Sequence, residues 1–175
     1  MLYFAFSTNI SLLLVERGVT DTAMSGIATA IFMLGGCLFG FVFTRLLGLC
    51  KGWTACLAFV LLAASYLVIY CFDGIVPLLA AAFVGGGSLS VIFPFFLVTI
   101  AGQVDPTVSV MASSLILSVG PNLGSFVSPM ILTNLSRLLF GPGVSGRFLL
   151  AAILAVSLAG VLFALGLKKR GAAIK

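Results

Sequence analysis

Five stretches of this chain carry no charge at all: Thr22–Thr44, Gly52–Phe72, Gly74–Val104, Pro106–Ser136 and Phe148–Leu167. Each holds about 20 residues or more, enough α-helix to cross a hydrocarbon core of roughly 30 Å. The pattern predicts an all-α, polytopic transmembrane helical bundle with spans at about 23–44, 53–72, 77–101, 108–135 and 147–167. A further apolar segment, 2–15, is about 14 residues long, or roughly 21 Å of helix, short of a full crossing. Either it thins the bilayer or it is the outer part of a longer helix whose start is missing. We read it the second way, because Met1 is followed directly by apolar residues with no interfacial anchor. The connections are short, which makes consecutive helices antiparallel neighbours. Trp53 is expected at an interface, where an amphipathic ring is favoured, and Pro77 suits a first helical turn.

Composition narrows this little further. The chain is 62% hydrophobic and 7% charged, against about 25% charged in soluble domains, so its partner is the lipid bilayer. The net charge of +5 is not that of a nucleic-acid binder, because no basic run is interleaved with aromatics on a polar face. Topology is the better use of those charges. Arg45, Lys51 and the 168–175 tail with Lys168, Lys169, Arg170 and Lys175 fall on one side. Arg17, Arg137 and Arg147 fall on the other, with Glu16, Asp21 and Asp73. The positive-inside rule then predicts a cytoplasmic C-terminus in a cell (inner) membrane. Asp105, unaccompanied by a basic residue in its turn, runs against that assignment. No positive region precedes the first apolar segment, so no cleavable signal peptide is expected. Cys37, Cys50, Cys56 and Cys71 have neither metal nor redox spacing and read as small apolar fillers.

The candidate chemistry is polar and uncharged. Ser114, Ser118, Asn122 and Ser125 recur at helical spacing and fall within roughly an 80° arc at about 100° per residue. A polar stripe in a lipid-embedded helix should face protein or a water-filled cavity. It either lines a solute path, with Asn122 as hydrogen-bonding anchor, or its serines bond back to their own helix or join two helices. Asn9, in a polar patch with Ser7, Thr8 and Ser11, and Ser88, beside Ser90 and the run Gly85–Gly87, are further candidates for lining. Pro94, Pro121 and Pro129 are candidate kinks or hinges, because each removes a backbone donor. Gly36 with Gly40, and Gly120 with Gly124, repeat at the four-residue spacing that lets helices approach closely. There is no histidine, and no acid or base falls at the centre of a span. That argues against intramembrane proteolysis, against a proton relay and against a resident metal, and no cofactor is implied.

With these residues in view, the chain resembles the C-terminal half of a major facilitator superfamily transporter, helices seven to twelve, with the seventh shortened. Gly40, Arg45, Gly48 and Lys51 are similar, in order, to that family's cytoplasmic loop signature. Thr44 replaces its acid, the spacer is one residue longer, and one basic residue is absent. The segment Glu16-Arg17-Gly18, with Ser25-Gly26 and Gly35-Gly36, resembles the seventh-to-eighth connection and eighth helix, and Ser118 to Pro129 resembles the eleventh. The resemblance implies a cavity between two six-helix halves, to which Asn9, Ser88, Ser118 and Asn122 would contribute, and transport by alternating access. The expected partners are a small-molecule solute and either an N-terminal six-helix half or a second copy. A self-standing half-size transporter that dimerises and a non-transporting scaffold or subunit remain alternatives; an enzyme is not expected.

Overall fold

In the computed structural model the described residues form a bundle of six α-helices. The structure describes residues 2–19, 22–50, 53–102, 105–141 and 143–172; side chains are not described at 2–4, 22, 44, 46, 49–50, 100–101, 106–107, 116, 120–121 and 165–172. The helices are α1 (Leu2–Glu16), α2 (Thr22–Cys50), α3 (Thr54–Cys71), α4 (Ile75–Ala101), α5 (Pro106–Phe140) and α6 (Ser145–Ala172). Five of them contain stretches long and apolar enough to cross a membrane: Ala23–Phe43, Thr54–Cys71, Ile75–Thr99, Val108–Phe140 and Ser145–Ala164. The shorter apolar helix is α1.

Three helix ends differ from the sequence expectation. α2 continues past Thr44 to Cys50, so Gly40, Arg45 and Gly48 are helical and not in a loop; Lys51 lies outside the described residues. The leucine-rich run after Arg45 is good helix-forming sequence, and an exposed Arg45 does not interrupt it. α5 continues past Leu135 to Phe140, ending at Gly141, whose φ of +87° suits a residue without a Cβ. α6 likewise runs on beyond Leu167 to Ala172.

The core is a row of helices in the order α2, α4, α3, α6. α3 and α6 are antiparallel and in steady register. Trp53 meets Phe163 edge-on at 4.7 Å, the Cys56 thiol donates to the Ala159 carbonyl at 3.6 Å, and Tyr66 meets Phe148 at 6.0 Å. Ala151, Ala155 and Ala159 give α6 a small-residue stripe that is fully buried, which lets the two backbones draw together.

The tightest seam joins α2 to α4 and is built from glycine. A Cβ added at Gly35 would stand 2.8 Å from the Phe83 carbonyl carbon, and one at Gly86 would stand 2.7 Å from the Phe32 carbonyl carbon. The arrangement is reciprocal: each helix offers Phe-x-x-Gly, and each glycine rests on the carbonyl of the partner's phenylalanine. Such backbone-to-backbone approach is the geometry of Cα–H···O contacts between membrane helices. Gly36 adjoins Ser90 Oγ, and Gly87 adjoins the Phe39 ring. Gly40 faces open space, so the expected Gly36–Gly40 face is replaced by Gly35–Gly36 against Gly86–Gly87. α4 passes Pro94 without a break in the helix.

α1 packs on α2, α5 and α6 with one face, Ala5, Phe6, Asn9, Ile10, Leu13 and Leu14. Phe6 stacks on Phe32 of α2 at 4.5 Å. α5 is the least enclosed of the five long helices.

Candidate functional site

The stripe on α5 lies open. Ser114, Ser118 and Asn122 are exposed and Ser125 is half-buried. Their polar groups turn back onto their own helix. Ser114 Oγ donates to the Met111 carbonyl at 2.9 Å, Asn122 Nδ2 to the Ser118 carbonyl at 2.6 Å, and Ser125 Oγ to the Asn122 carbonyl at 2.8 Å. This back-bonding satisfies the Ser114 and Ser125 hydroxyls and one Asn122 amide hydrogen locally. Toward the end of α5 the same angular face is covered: Ser128, Leu132 and Ser136 are buried, and at 100° per residue they overlap the arc of Ser114, Ser118 and Ser125. One side of α5 is therefore core in its C-terminal half and uncovered polar surface in its N-terminal half. Pro129 is half-buried within this helix. Gly120 and Pro121 belong to α5, but their side-chain surroundings lie outside the described residues, and Gly124 is half-buried.

Ser88 does not share that surface. It is 1% exposed, donates to the Val84 carbonyl at 2.8 Å, and borders a cavity of about 50 Å³ with Phe39, Thr54, Leu57, Ala58 and Val91. That space is the size of a water molecule or two; ligand sites are several-fold larger. Ser88 thus packs among α2, α3 and α4, apart from the open face of α5.

The polar patch of α1 divides. Ser7, Thr8 and Ser11 are exposed, whereas Asn9 is 2% exposed. Asn9 Nδ2 donates to the Ala5 carbonyl at 2.9 Å and to Thr8 Oγ1 at 3.1 Å, and its Oδ1 accepts from Arg147 Nη1 at 2.7 Å. All its strong capacity is engaged, and the partner is a cation that sequence reasoning left at the rim. A signal was present: a basic residue in the first turn of α6 works against the helix dipole, so its placement there calls for a specific partner.

Glu16 and Arg17, at the end of α1, organise the same rim. The Glu16 carboxylate accepts the Val144 N–H at 2.9 Å and 3.2 Å, fastening the start of α6. Arg17 Nη2 donates to the Ile69 carbonyl near the end of α3, and Nε lies 3.3 Å from Asp73 Oδ1 in the following turn. The Arg17 side chain is 10% exposed and its Nη1 is buried without a partner, while Asp73 is 89% exposed. Residues 16–19, 72–74 and 143–144, at the ends of α1, α3 and α5, thus meet at one end of the bundle, as antiparallel alternation requires.

Among the described residues no group of three or more His, Cys, Asp or Glu side chains could hold a metal ion. The chain matches no protein-family model, no curated protein and no solved structure. The class these observations define is an all-α bundle whose long apolar helices suit a membrane.

Proposed function

We propose that this chain is one half of a secondary transporter of small solutes that works by alternating access, with α5 lining the path. The observation that carries the proposal is the open polar stripe at Ser114, Ser118 and Asn122. In a membrane such a surface is stable only against water or protein. Its continuation along the helix into the buried Ser128, Leu132 and Ser136 supports a stripe that faces protein rather than lipid. A second six-helix unit, either an N-terminal half or another copy, would cover it and enclose the solute between the two. In this reading the chain resides in the cell membrane with its Lys168–Lys175 end cytoplasmic, and Asn122 is the principal solute contact.

Cysteine labelling tests the path without knowledge of the solute. In a background lacking the four native cysteines, Ser118→Cys and Asn122→Cys should react with a charged, membrane-impermeant maleimide in native membranes. Leu123→Cys, on the opposite side of the helix, should not. Equal protection of all three positions would make the stripe a dry helix–helix contact and remove the basis for a transport path.

A further inference from the structure

An arginine near the end of a membrane helix ordinarily extends its charge outward to the headgroups. Arg147 does the reverse. Glu16 and Val144 are hydrogen-bonded and mark the rim. Asn9 lies seven residues before Glu16, about 10 Å further in along α1. Arg147, only three residues beyond Val144, directs Nη1 inward to the buried Asn9 Oδ1. By helical rise the buried residues Ser128, Leu132 and Ser136 of α5 lie about 18, 12 and 6 Å from its end, so they bracket the same depth, and α5 packs on both α1 and α6.

Among the described residues no carboxylate is bonded to this guanidinium. Asn9 contributes a dipole only. The Glu16 carboxylate is bonded to the Val144 N–H and forms no ion pair with Arg147; among the described residues the single ion pair is Arg17 with Asp73. The positive end of the α6 dipole has the same sign as the guanidinium. The remaining Arg147 N–H groups have no acceptor among the described residues, and none of them is enclosed. With Nη1 held by Asn9, the free edge is Nε and Nη2, the pair of parallel donors that grips a carboxylate in bidentate fashion.

We propose that Arg147, oriented by Asn9, anchors a monovalent oxyanion, and that the solute handled by this half carries a carboxylate. The solute assignment rests on the transport reading above; the anion site does not. One negative charge matches the single charge of the guanidinium, whereas a dianion would exceed it. A lipid phosphodiester has the same charge and donor requirements, so the test separates the two sources.

Phenylglyoxal footprinting of the full chain, read residue by residue by mass spectrometry, uses the unmodified protein as its own control. In dodecyl maltoside micelles, benzoate should slow modification of Arg147 several-fold while the exposed Arg45 and Arg137 react as before. Benzyl alcohol, the uncharged counterpart, should have no effect. Asn9→Leu and Arg147→Lys should each weaken benzoate protection measured by thermal shift, the lysine variant keeping the charge and losing the fork. Absence of protection, or equal protection at all three arginines, overturns the site. In phosphatidylcholine nanodiscs benzoate should still protect; an Arg147 already unreactive there, with no added effect of benzoate, assigns the site to lipid and overturns the solute class. The two readings fail separately. A reactive Asn122→Cys with an unprotected Arg147 keeps transport and rejects the carboxylate. A protected Arg147 with an unreactive Asn122→Cys keeps the anion site and rejects transport, and with it the solute class.

Discussion

Gly86→Ala places one methyl group at the closest approach of two helices. The added Cβ would stand 2.7 Å from the Phe32 carbonyl carbon and nearer still to its oxygen, with Phe32 Cα at 3.1 Å. Ordinary Cβ contacts begin at 3.4 Å, so α2 must retreat by at least about 0.7 Å. No rotamer change can supply that space, because the obstacle is backbone. Overpacking of this kind costs typically about 1–3 kcal/mol, and a rigid carbonyl on one side and a helix on the other argue for the upper part of that range. Gly35→Ala should cost a similar amount by the reciprocal contact with Phe83. Once one substitution has opened the seam, the second fits with little further strain, so the double variant should be clearly less destabilised than the sum of the two. Gly40→Ala, in the same helix but facing open space, should be neutral or stabilising by up to about 1 kcal/mol, since alanine is the better helix former. Reversible unfolding in mixed detergent micelles, followed by circular dichroism, measures all four variants. A Gly86→Ala protein as stable as Gly40→Ala would refute backbone contact at this crossing.

Asn122→Leu should impair solute uptake by the assembled transporter while leaving membrane insertion intact; normal uptake by a correctly inserted protein would remove Asn122 from the path. Glu16→Ala should lower stability by about 1 kcal/mol, the cost of losing a helix N-terminal cap, and should speed amide exchange at Val144 by comparison with the wild type. Asp73→Asn should shift stability by less than about 1 kcal/mol, because its carboxylate is 89% exposed. Arg17→Ala, which also removes the bond to the Ile69 carbonyl, should produce the larger change in the same unfolding assay.

Much of the architecture was legible because it depends on length and charge. An uncharged helix of about 20 residues is long enough to cross a hydrocarbon core, and the charged residues cluster toward the helix ends and connections. The exceptions are informative. α2 and α5 outrun the expected ends because the residues following Thr44 and Leu135 remain good helix formers, and neither the exposed Arg45 nor Arg137 breaks a helix. The stripe on α5 was also readable, since helical periodicity places its four residues on one face without reference to any neighbour.

Periodicity could not say which faces meet. Gly36 and Gly40 share the spacing of a packing motif, yet Gly35 and Gly86 form the seam, because a crossing is decided by the rotation of both helices together. Ser88 and Asn122 look alike in sequence, a small polar residue in an apolar span, but one is enclosed by three helices and the other lies open. Arg147 stands 138 positions after Asn9, and only the antiparallel pairing of α1 with α6, fastened by Glu16 at Val144, brings the two together. The sequence by itself determined the apolar helices and the polar face of α5, because those follow from local hydrophobicity and a fixed helical repeat. The tertiary structure alone decided the glycine seam, the burial of Ser88 and the inward-facing guanidinium, because each depends on the register between distant helices.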